Sequence, residues 1–310
     1  MKIMIRLYSL IFVSYFLCFS VASPADEVDS SEHGVTPGNK ATTCKCGWAN
    51  KVGRRIIGGS DAGKNEWPMM AGIIVKNPVN KVYMHMCGGT IITNWHIVTA
   101  GHCIYDESGI PKKETELGVI LGAHSLKEVD YENPEVLLAP KKLIAHPKYI
   151  WPSTYDIAII LMKKFEFSNI IGPACLPIKR FDFVGSRLKV IGWGDIDHRG
   201  TIPDILKKST LNGVDTDKCS FYGDLFDKAD HYQMCTFQED RSGQCVGDSG
   251  GPVLWNDPET NRFTLVALPS FGYIGCVIKP AVCTDVTYFL PWIQEVVSST
   301  QPEARTCSKQ

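Results

Sequence analysis

The hexapeptide Gly247-Asp248-Ser249-Gly250-Gly251-Pro252 is the most informative stretch of this 310-residue sequence. It places a serine between small and acidic neighbours, in a turn that few other residues could form. A serine hydroxyl is a poor nucleophile until a general base takes its proton. Ser249 therefore indicates nucleophilic catalysis only if a base and an orienting acid lie elsewhere in the chain.

Two other segments supply such groups. His102 lies within Thr99-Ala100-Gly101-His102-Cys103, and Asp156 begins an apolar run that ends at Leu161. The chain order histidine, aspartate, serine is one of those in which unrelated folds assemble a catalytic triad. The alternatives are a serine in an ordinary glycine-rich turn and an aspartate that merely caps the start of a strand.

Four further motifs accompany these segments in order along the chain. They are Arg55-Ile56-Ile57-Gly58-Gly59, Cys87-Gly88-Gly89-Thr90, Gly192-Trp193-Gly194 and Pro291-Trp292-Ile293. From about Ile56 to Ser299 the chain resembles a secreted serine endopeptidase of the chymotrypsin family. The resemblance implies an all-β fold of two six-stranded antiparallel β-barrels with a C-terminal helix, and an active site in the cleft between the barrels.

Short apolar runs separated by turns follow residue 56, and many of them are rich in isoleucine and valine. These runs are 69–75, 89–92, 96–99, 156–162, 188–193, 252–255 and 263–268. None is long enough to predict a helix, so the pattern by itself predicts an all-β sandwich or barrel. Tyr288–Ser298 is the exception, because it has the pattern of an amphipathic helix with Pro291 in its first turn.

The composition is that of a globular protein, with 44% hydrophobic and 21% charged residues, and the chain is long enough to bury a large core. The net charge of -1 gives no reason to expect nucleic acid or an anionic membrane as a partner. Composition alone thus points to a globular protein without a strongly charged partner.

The N-terminus has the features of a signal peptide, because Lys2 and Arg6 precede the apolar run Leu7–Val21. No second apolar stretch of about 20 residues follows, which argues against a membrane anchor and predicts a secreted protein. We expect a signal peptide at 1–22, a prosegment at 23–55, a catalytic domain at 56–300 and a tail at 301–310. Residues 23–43 are acidic and poor in large apolar groups, and we expect them to be disordered.

The resemblance assigns a catalytic role to each of the three residues. Ser249 attacks the scissile carbonyl, His102 takes its proton and delivers it to the leaving amine, and Asp156 orients the imidazole. The backbone N–H groups of Gly247 and Ser249 form the oxyanion hole. One departure from the family is Gly101, where alanine is usual, and we expect this change to be mildly destabilising at most.

The resemblance also implies activation of an inactive precursor. Cleavage after Arg55 would free the α-amino group of Ile56, which pairs with the aspartate before the nucleophile, here Asp248. His85 lies where the precursor in this family can hold the same aspartate beforehand. The chain as translated is therefore expected to be inactive.

The residues expected to line the substrate pocket differ from those of family members that cut after arginine or lysine. Those members place an aspartate six residues before the nucleophile, where this chain has Gly243 followed by Gln244. Other expected positions are Ser270 beside the triad aspartate, Gly272 at the pocket entrance, and Ala281 and Cys283 on the opposite wall. A buried cationic side chain without a counter-charge is costly, so we expect cleavage after uncharged residues, with medium or large apolar side chains favoured and with Gln244 able to add a polar preference. Asp240 is the carboxylate that could still reach this pocket.

Twelve cysteines indicate an oxidising compartment, and eleven remain once Cys18 leaves with the signal peptide. The resemblance implies four disulfides: Cys87–Cys103, Cys219–Cys235, Cys245–Cys276 and Cys46–Cys175. Cys44, Cys283 and Cys307 stay unassigned, and pairing of Cys44 with Cys307 is one option that the sequence leaves open.

The expected partners are protein or peptide substrates, a separate trypsin-like protease that cleaves after Arg55, and protein protease inhibitors. We expect no cofactor and no metal, because Gly122-Ala123-His124 lacks the first carboxylate of the family's calcium loop and Glu128–Glu135 reads as a solvated acidic loop. The segment Cys46-Gly47-Trp48 is similar to that of arthropod venom or haemolymph proteases. The rival functions are a non-catalytic homologue that acts as a binding cofactor, and a secreted structural or adhesive module.

Overall fold

The computed structural model describes residues 33–50, 60–77, 80–197, 199–227, 229–239, 243–273, 276 and 278–310. The predicted signal peptide, the bond between Arg55 and Ile56, and Asp240 lie outside the described residues. The described residues form thirteen β-strands and one α-helix, with a few short 3-10 turns between them.

Six of these strands form the first sheet, and seven form the second. The first comprises β2 (Met70–Lys76), β3 (Tyr83–Ile91), β4 (His96–Thr99), β5 (Leu117–Leu121), β6 (Lys142–Ala145) and β7 (Ala158–Leu161). The second comprises β1 (Ser60–Asp61), β8 (Arg187–Gly192), β9 (Lys207–Val214), β10 (Gln233–Phe237), β11 (Val253–Asp257), β12 (Arg262–Phe271) and β13 (Ala281–Asp285).

The first sheet is antiparallel throughout, in the order β5-β2-β3-β4-β7-β6. Its two edges approach each other, since Val119 of β5 and Leu138, just before β6, donate backbone hydrogen bonds to each other at 2.9 and 2.8 Å. Ile73, Ile97 and Ile160 are fully buried inside it. The isoleucine- and valine-rich runs of the sequence therefore form the interior of this barrel.

The second sheet closes on itself. Its order is β9-β10-β13-β12-β11-β8, β8 also pairs with β9, and the short strand β1 adds to the outer side of β9. Leu188, Val253 and Val266 are fully buried within it. Closure satisfies the backbone groups that an open sheet would leave at its edges.

The C-terminal helix α1 spans Leu290–Thr300, about two residues later than predicted, with Pro291 in its first turn. It buries Ile293 and Val297. The hydroxyl oxygen of its last residue, Thr300, lies 2.8 Å from Nε2 of His96 on β4. The helix thus links the end of the chain to the first barrel. In the part of the chain that the structure describes, no helix has the length and apolar character needed to cross a membrane. The predicted all-β fold of two antiparallel barrels with a C-terminal helix is confirmed.

The expectation of disorder is wrong for residues 33–43, which pack on the second barrel. Gly38 donates a backbone hydrogen bond to Thr260 at 2.7 Å, and Thr42 pairs with Lys309 in the C-terminal tail. Disulfides Cys44–Cys307 and Cys46–Cys175 tie the following residues down. Composition missed this order because the cross-links, rather than a buried apolar face, reduce the entropy that ordering has to offset.

Candidate active site

His102 and Asp156 approach each other because the strands next to them are paired. His102 follows β4, Asp156 precedes β7, and Thr99 of β4 is opposite Ala158 of β7. His102 Nδ1 lies 2.8 Å from Asp156 Oδ2, and the backbone N–H of His102 donates to Asp156 Oδ1 at 2.8 Å. Both oxygens of a fully buried carboxylate therefore hold the histidine in one orientation.

The second barrel contributes two hydroxyl groups to the same aspartate. Ser270, on β12, donates to Asp156 Oδ2 at 2.5 Å, and Thr284, on β13, donates to the Asp156 backbone carbonyl at 2.7 Å. Ser270 was expected beside the aspartate from the resemblance. Thr284 was not expected, because nothing in its local sequence marks it. Asp156 is thus held from both barrels.

The electrostatic environment of His102 suits a general base. Burial by itself lowers the pKa of the imidazole, but the Asp156 charge and its hydrogen bond outweigh burial and raise the pKa of His102 above its ordinary value. The His102 side chain keeps 21% of its surface exposed, whereas that of Asp156 has none. The ring is therefore accessible on one side and anchored on the other.

The turn that carries Ser249 is held against the first barrel. Gly247 and Gly250 have φ values of +95° and +71°, which favour glycine, and a Cβ on Gly250 would lie 2.1 Å from Thr99 Oγ1. The carbonyl of Ser249 accepts a hydrogen bond from the backbone N–H of Gly88 on β3 at 2.8 Å. Within the described ranges the Ser249 hydroxyl donates to no group, His102 included, and such contacts are often loose before substrate binds.

Asp248, the neighbour of Ser249, is buried in a site made by glycines. Its carboxylate accepts backbone hydrogen bonds from Gly194 and Cys245, each at 2.9 Å. A Cβ on Gly192 or Gly194 would lie 2.1 or 2.3 Å from its oxygens. Burial raises the pKa of Asp248 to about 6, although the two backbone bonds oppose this shift, and the carboxylate forms no ion pair with any described residue.

His85 is not joined to Asp248. The ring lies 5.4 Å from that of Trp193, and neither of its nitrogens has a hydrogen-bond partner among the described residues. Burial lowers the pKa of His85 to about 4, so the side chain is neutral at pH 7. The resemblance led us to expect a hydrogen bond between His85 and Asp248, and the described residues do not contain it.

The residues predicted to line the pocket lie on neighbouring segments. Ala281 begins β13, and a Cβ on Gly272, just after β12, would lie 3.5 Å from the Ala281 Cβ. Cys283 Sγ lies 3.3 Å from Gln244 Oε1. Gly243 and Gln244 precede Cys245, whose disulfide to Cys276 links them to the segment after β12. The structure thus brings the predicted pocket segments together.

Glycine at position 101 has a steric reason that the sequence did not reveal. A Cβ at this position would lie 2.7 Å from Cδ2 of Tyr149 and 3.1 Å from Oδ1 of Asp156. The Tyr149 ring occupies the space that an alanine methyl would need. Glycine at 101 therefore accompanies the tyrosine at 149.

The other cysteines hold the site and the N-terminal segment in place. Cys87–Cys103 connects β3 to the turn that carries His102, and Cys219–Cys235 lies in the second barrel. Cys283 has a free, buried thiol. Among the described residues, the only three groups close enough to share a metal ion are Cys87, His102 and Cys103, and the two sulfurs are already bonded to each other.

Comparison with known proteins finds a match to one family model and to several serine proteases of arthropods. The trypsin family model matches residues 56–293, which is more than half of the chain. A venom serine protease 34 from Apis mellifera is 37% identical over 279 residues, covering 86% of this chain but only 63% of that relative. The chain therefore spans less than two thirds of this relative's length.

Two other relatives are matched over more of their length. A venom serine protease from Polistes dominula is 33% identical, covering 82% of this chain and 89% of the relative. A proclotting enzyme from Tachypleus tridentatus is 32% identical, covering 81% of this chain and 68% of the relative.

Proposed function

The chain belongs to the trypsin family of serine endopeptidases, and we propose that it is a secreted enzyme that hydrolyses peptide bonds in protein substrates. The observation that carries this proposal is the buried carboxylate of Asp156, which holds His102 by two hydrogen bonds next to the Ser249 turn. Five disulfides and the similarity to venom proteases support an extracellular location.

The proposed chemistry follows from which atoms are free. His102 Nδ1 is engaged by Asp156, so Nε2 is the nitrogen that takes the proton of Ser249 as the hydroxyl attacks the scissile carbonyl. The imidazolium then gives that proton to the leaving amine, and Asp156 stabilises its charge. The backbone N–H groups of Gly247 and Ser249 receive the oxyanion, and a side chain at 247 would crowd it.

The enzyme is made as an inactive precursor in this proposal, and cleavage after Arg55 activates it. The new ammonium group of Ile56 pairs with Asp248 and orders the oxyanion hole and the pocket. This step is supported by the state of Asp248, which is buried, has a raised pKa and forms no ion pair with any described residue. A carboxylate in that position gains more from a cation than from further neutral hydrogen bonds.

The proposed specificity is for uncharged residues before the cut. Segments 243–249, 269–273 and 281–283 contain one carboxylate, that of Asp248, and backbone amides already bind it. A lysine or arginine head group would then be buried without a counter-charge, at a cost of several kcal/mol. The enzyme would therefore not activate itself at Arg55, and a separate trypsin-like protease would be required.

The test uses the purified precursor, cleaved after Arg55, with Ser249→Ala as a matched variant. We expect labelling by a serine-directed phosphonate and cleavage of a peptide library after uncharged residues. Ser249→Ala should lose labelling and about a millionfold in turnover without loss of folded structure. A library profile dominated by arginine or lysine would overturn the specificity, and a folded, cleaved protein without labelling or turnover would favour a non-catalytic binding cofactor.

A further inference from the structure

Three buried polar side chains form a chain of contacts behind the proposed substrate pocket. Thr236 Oγ1 lies 3.6 Å from Cys283 Sγ, and Cys283 Sγ lies 3.3 Å from Gln244 Oε1. Thr236 is 1% exposed, Cys283 is 0% exposed and Gln244 is 9% exposed. Cys283 is also opposite Pro269 in the pairing of β12 with β13, and Pro269 immediately precedes Ser270. The contacts therefore adjoin the residues that hold Asp156.

The chemistry of the thiol sets the direction of these contacts. Burial raises the pKa of Cys283 to about 11, so the side chain is a neutral thiol at pH 7 and can donate its proton. The acceptor is then the amide oxygen of Gln244, and Thr236 can donate to the sulfur. The Gln244 amide nitrogen, with two hydrogens, donates to no described residue.

We propose that Cys283 is a positioning residue that holds the Gln244 amide so that its nitrogen donates to the substrate side chain before the cut. The pocket would thereby select uncharged side chains that carry a hydrogen-bond acceptor, such as glutamine or tyrosine, over apolar side chains of similar shape. This inference rests on the proposed function, because it concerns the substrate class of the same site.

The energetic reason is the cost of an unpaired donor. A substrate side chain that excludes water from Gln244 without accepting its hydrogen bond leaves a buried N–H without a partner. Lysine and arginine side chains offer only donors, so they would leave the Gln244 N–H without an acceptor and would also lack a counter-charge. A hydrogen-bond acceptor on the substrate removes the first of these penalties.

The experiment compares paired peptides that differ only in the residue before the cut: glutamine against methionine, and tyrosine against phenylalanine. For the cleaved wild-type enzyme we expect kcat/KM to favour the acceptor-bearing peptide of each pair by about tenfold. Gln244→Ala and Cys283→Ala should bring both ratios to within about threefold of one. Cys283→Ser keeps a donor and should preserve the wild-type ratios.

The ratio separates positioning from a general structural role, because a loosened pocket lowers kcat/KM for both members of a pair. Equal rates for each pair in the wild type, or an unchanged ratio in Cys283→Ala, would overturn the inference. If Cys283→Ala does not fold, Cys283→Val removes the donor while filling the space. Phosphonate labelling of each variant distinguishes the two proposals: a labelled enzyme with flat ratios refutes only this inference, and an unlabelled wild type refutes the proposed function.

Discussion

Asp156 and Asp248 are two buried aspartates close to the proposed nucleophile, and their surroundings differ. Asp156 accepts hydrogen bonds from His102, through both its ring and its backbone, and from Ser270. Asp248 accepts only two backbone N–H groups and forms no ion pair with a described residue. Burial raises the pKa of Asp248 to about 6.

The difference shows that hydrogen bonds from neutral groups do not fully replace a cation. At Asp248 the loss of water outweighs two good backbone bonds, so its charged form is disfavoured. The Asp156 region has its cationic partner within the folded chain, because His102 can take a proton there. The Asp248 region lacks one until a new cation is made, which our proposal assigns to the amino group of Ile56.

Asp156→Asn should have the largest effect in this comparison. An amide neither stabilises the imidazolium nor holds the correct tautomer, so we expect kcat of the cleaved enzyme to fall about ten-thousandfold near neutral pH. Because the Asp156 charge raises the pKa of His102, the acidic limb of the rate profile should also move to lower pH. Steady-state kinetics across pH would measure both effects.

The matched control for that variant is Asp257→Asn, which changes another buried aspartate, one that pairs with Lys309 at 3.0 Å. Its activity should stay close to wild type. Comparable losses in the two variants would show that Asp156 acts only through folding.

Asp248→Asn should have the next largest effect, and only after cleavage. Breaking a buried ion pair by removing one partner costs about 3–5 kcal/mol, so we expect a loss in kcat/KM of the cleaved enzyme of about a hundredfold to five-thousandfold. The intact protein should be inert in either form. Full activity of a protein with an intact Arg55–Ile56 bond would contradict this prediction.

The same pair predicts how activity depends on alkaline pH. A free α-amino group has a pKa of about 7.7–8.0, and pairing with a carboxylate raises that value in the folded enzyme. The stabilisation is then fully present below the unfolded value and is lost as pH rises through the folded one. Active-site titration from pH 7 to 11 should show a declining active fraction, and a constant fraction would refute the pairing.

In the intact precursor the pH should have a smaller effect, on the free energy of unfolding. This effect arises from ionisation of Asp248 without a cationic partner, rather than from the pair with Ile56. The folded state binds a proton at Asp248 up to about pH 6, above the unfolded value of 3.8, so stability falls as pH rises through this window. The contribution is at most about 3 kcal/mol. Denaturant unfolding at several pH values should show a steeper fall for wild type than for Asp248→Asn, and parallel curves would contradict the raised pKa.

Ser270→Ala should have the smallest effect. It removes one of the hydrogen bonds to Asp156 while the two bonds from His102 remain, so we expect kcat to fall roughly threefold to tenfold with little change in KM. Ser209→Ala is the control, because its hydroxyl is buried without a hydrogen-bond partner among the described residues. Equal effects of the two substitutions would show that the bond to Asp156 is not special.

Much of the fold could be predicted from local patterns. The apolar runs predicted strands, and the pattern at Tyr288–Ser298 predicted a helix that the structure places at Leu290–Thr300. The order of residues 33–43 was missed, because their composition does not reveal the backbone hydrogen bonds that Gly38 and Lys40 donate to Thr260 and Glu259. The role of Gly101 was also hidden, since the atoms that require it belong to Tyr149.

The sequence by itself determined which chemical groups are present and where the backbone needs glycine. Gly247 and Gly250 could be read directly, because a left-handed turn is a local requirement. Tertiary structure decided which groups meet: Ser270 and Thr284 reach Asp156 only because the barrels adjoin, and Cys283 of β13 contacts Gln244, which lies on a separate segment outside the strands. Contacts between residues far apart in sequence depend on strand register and barrel closure, which no local pattern encodes.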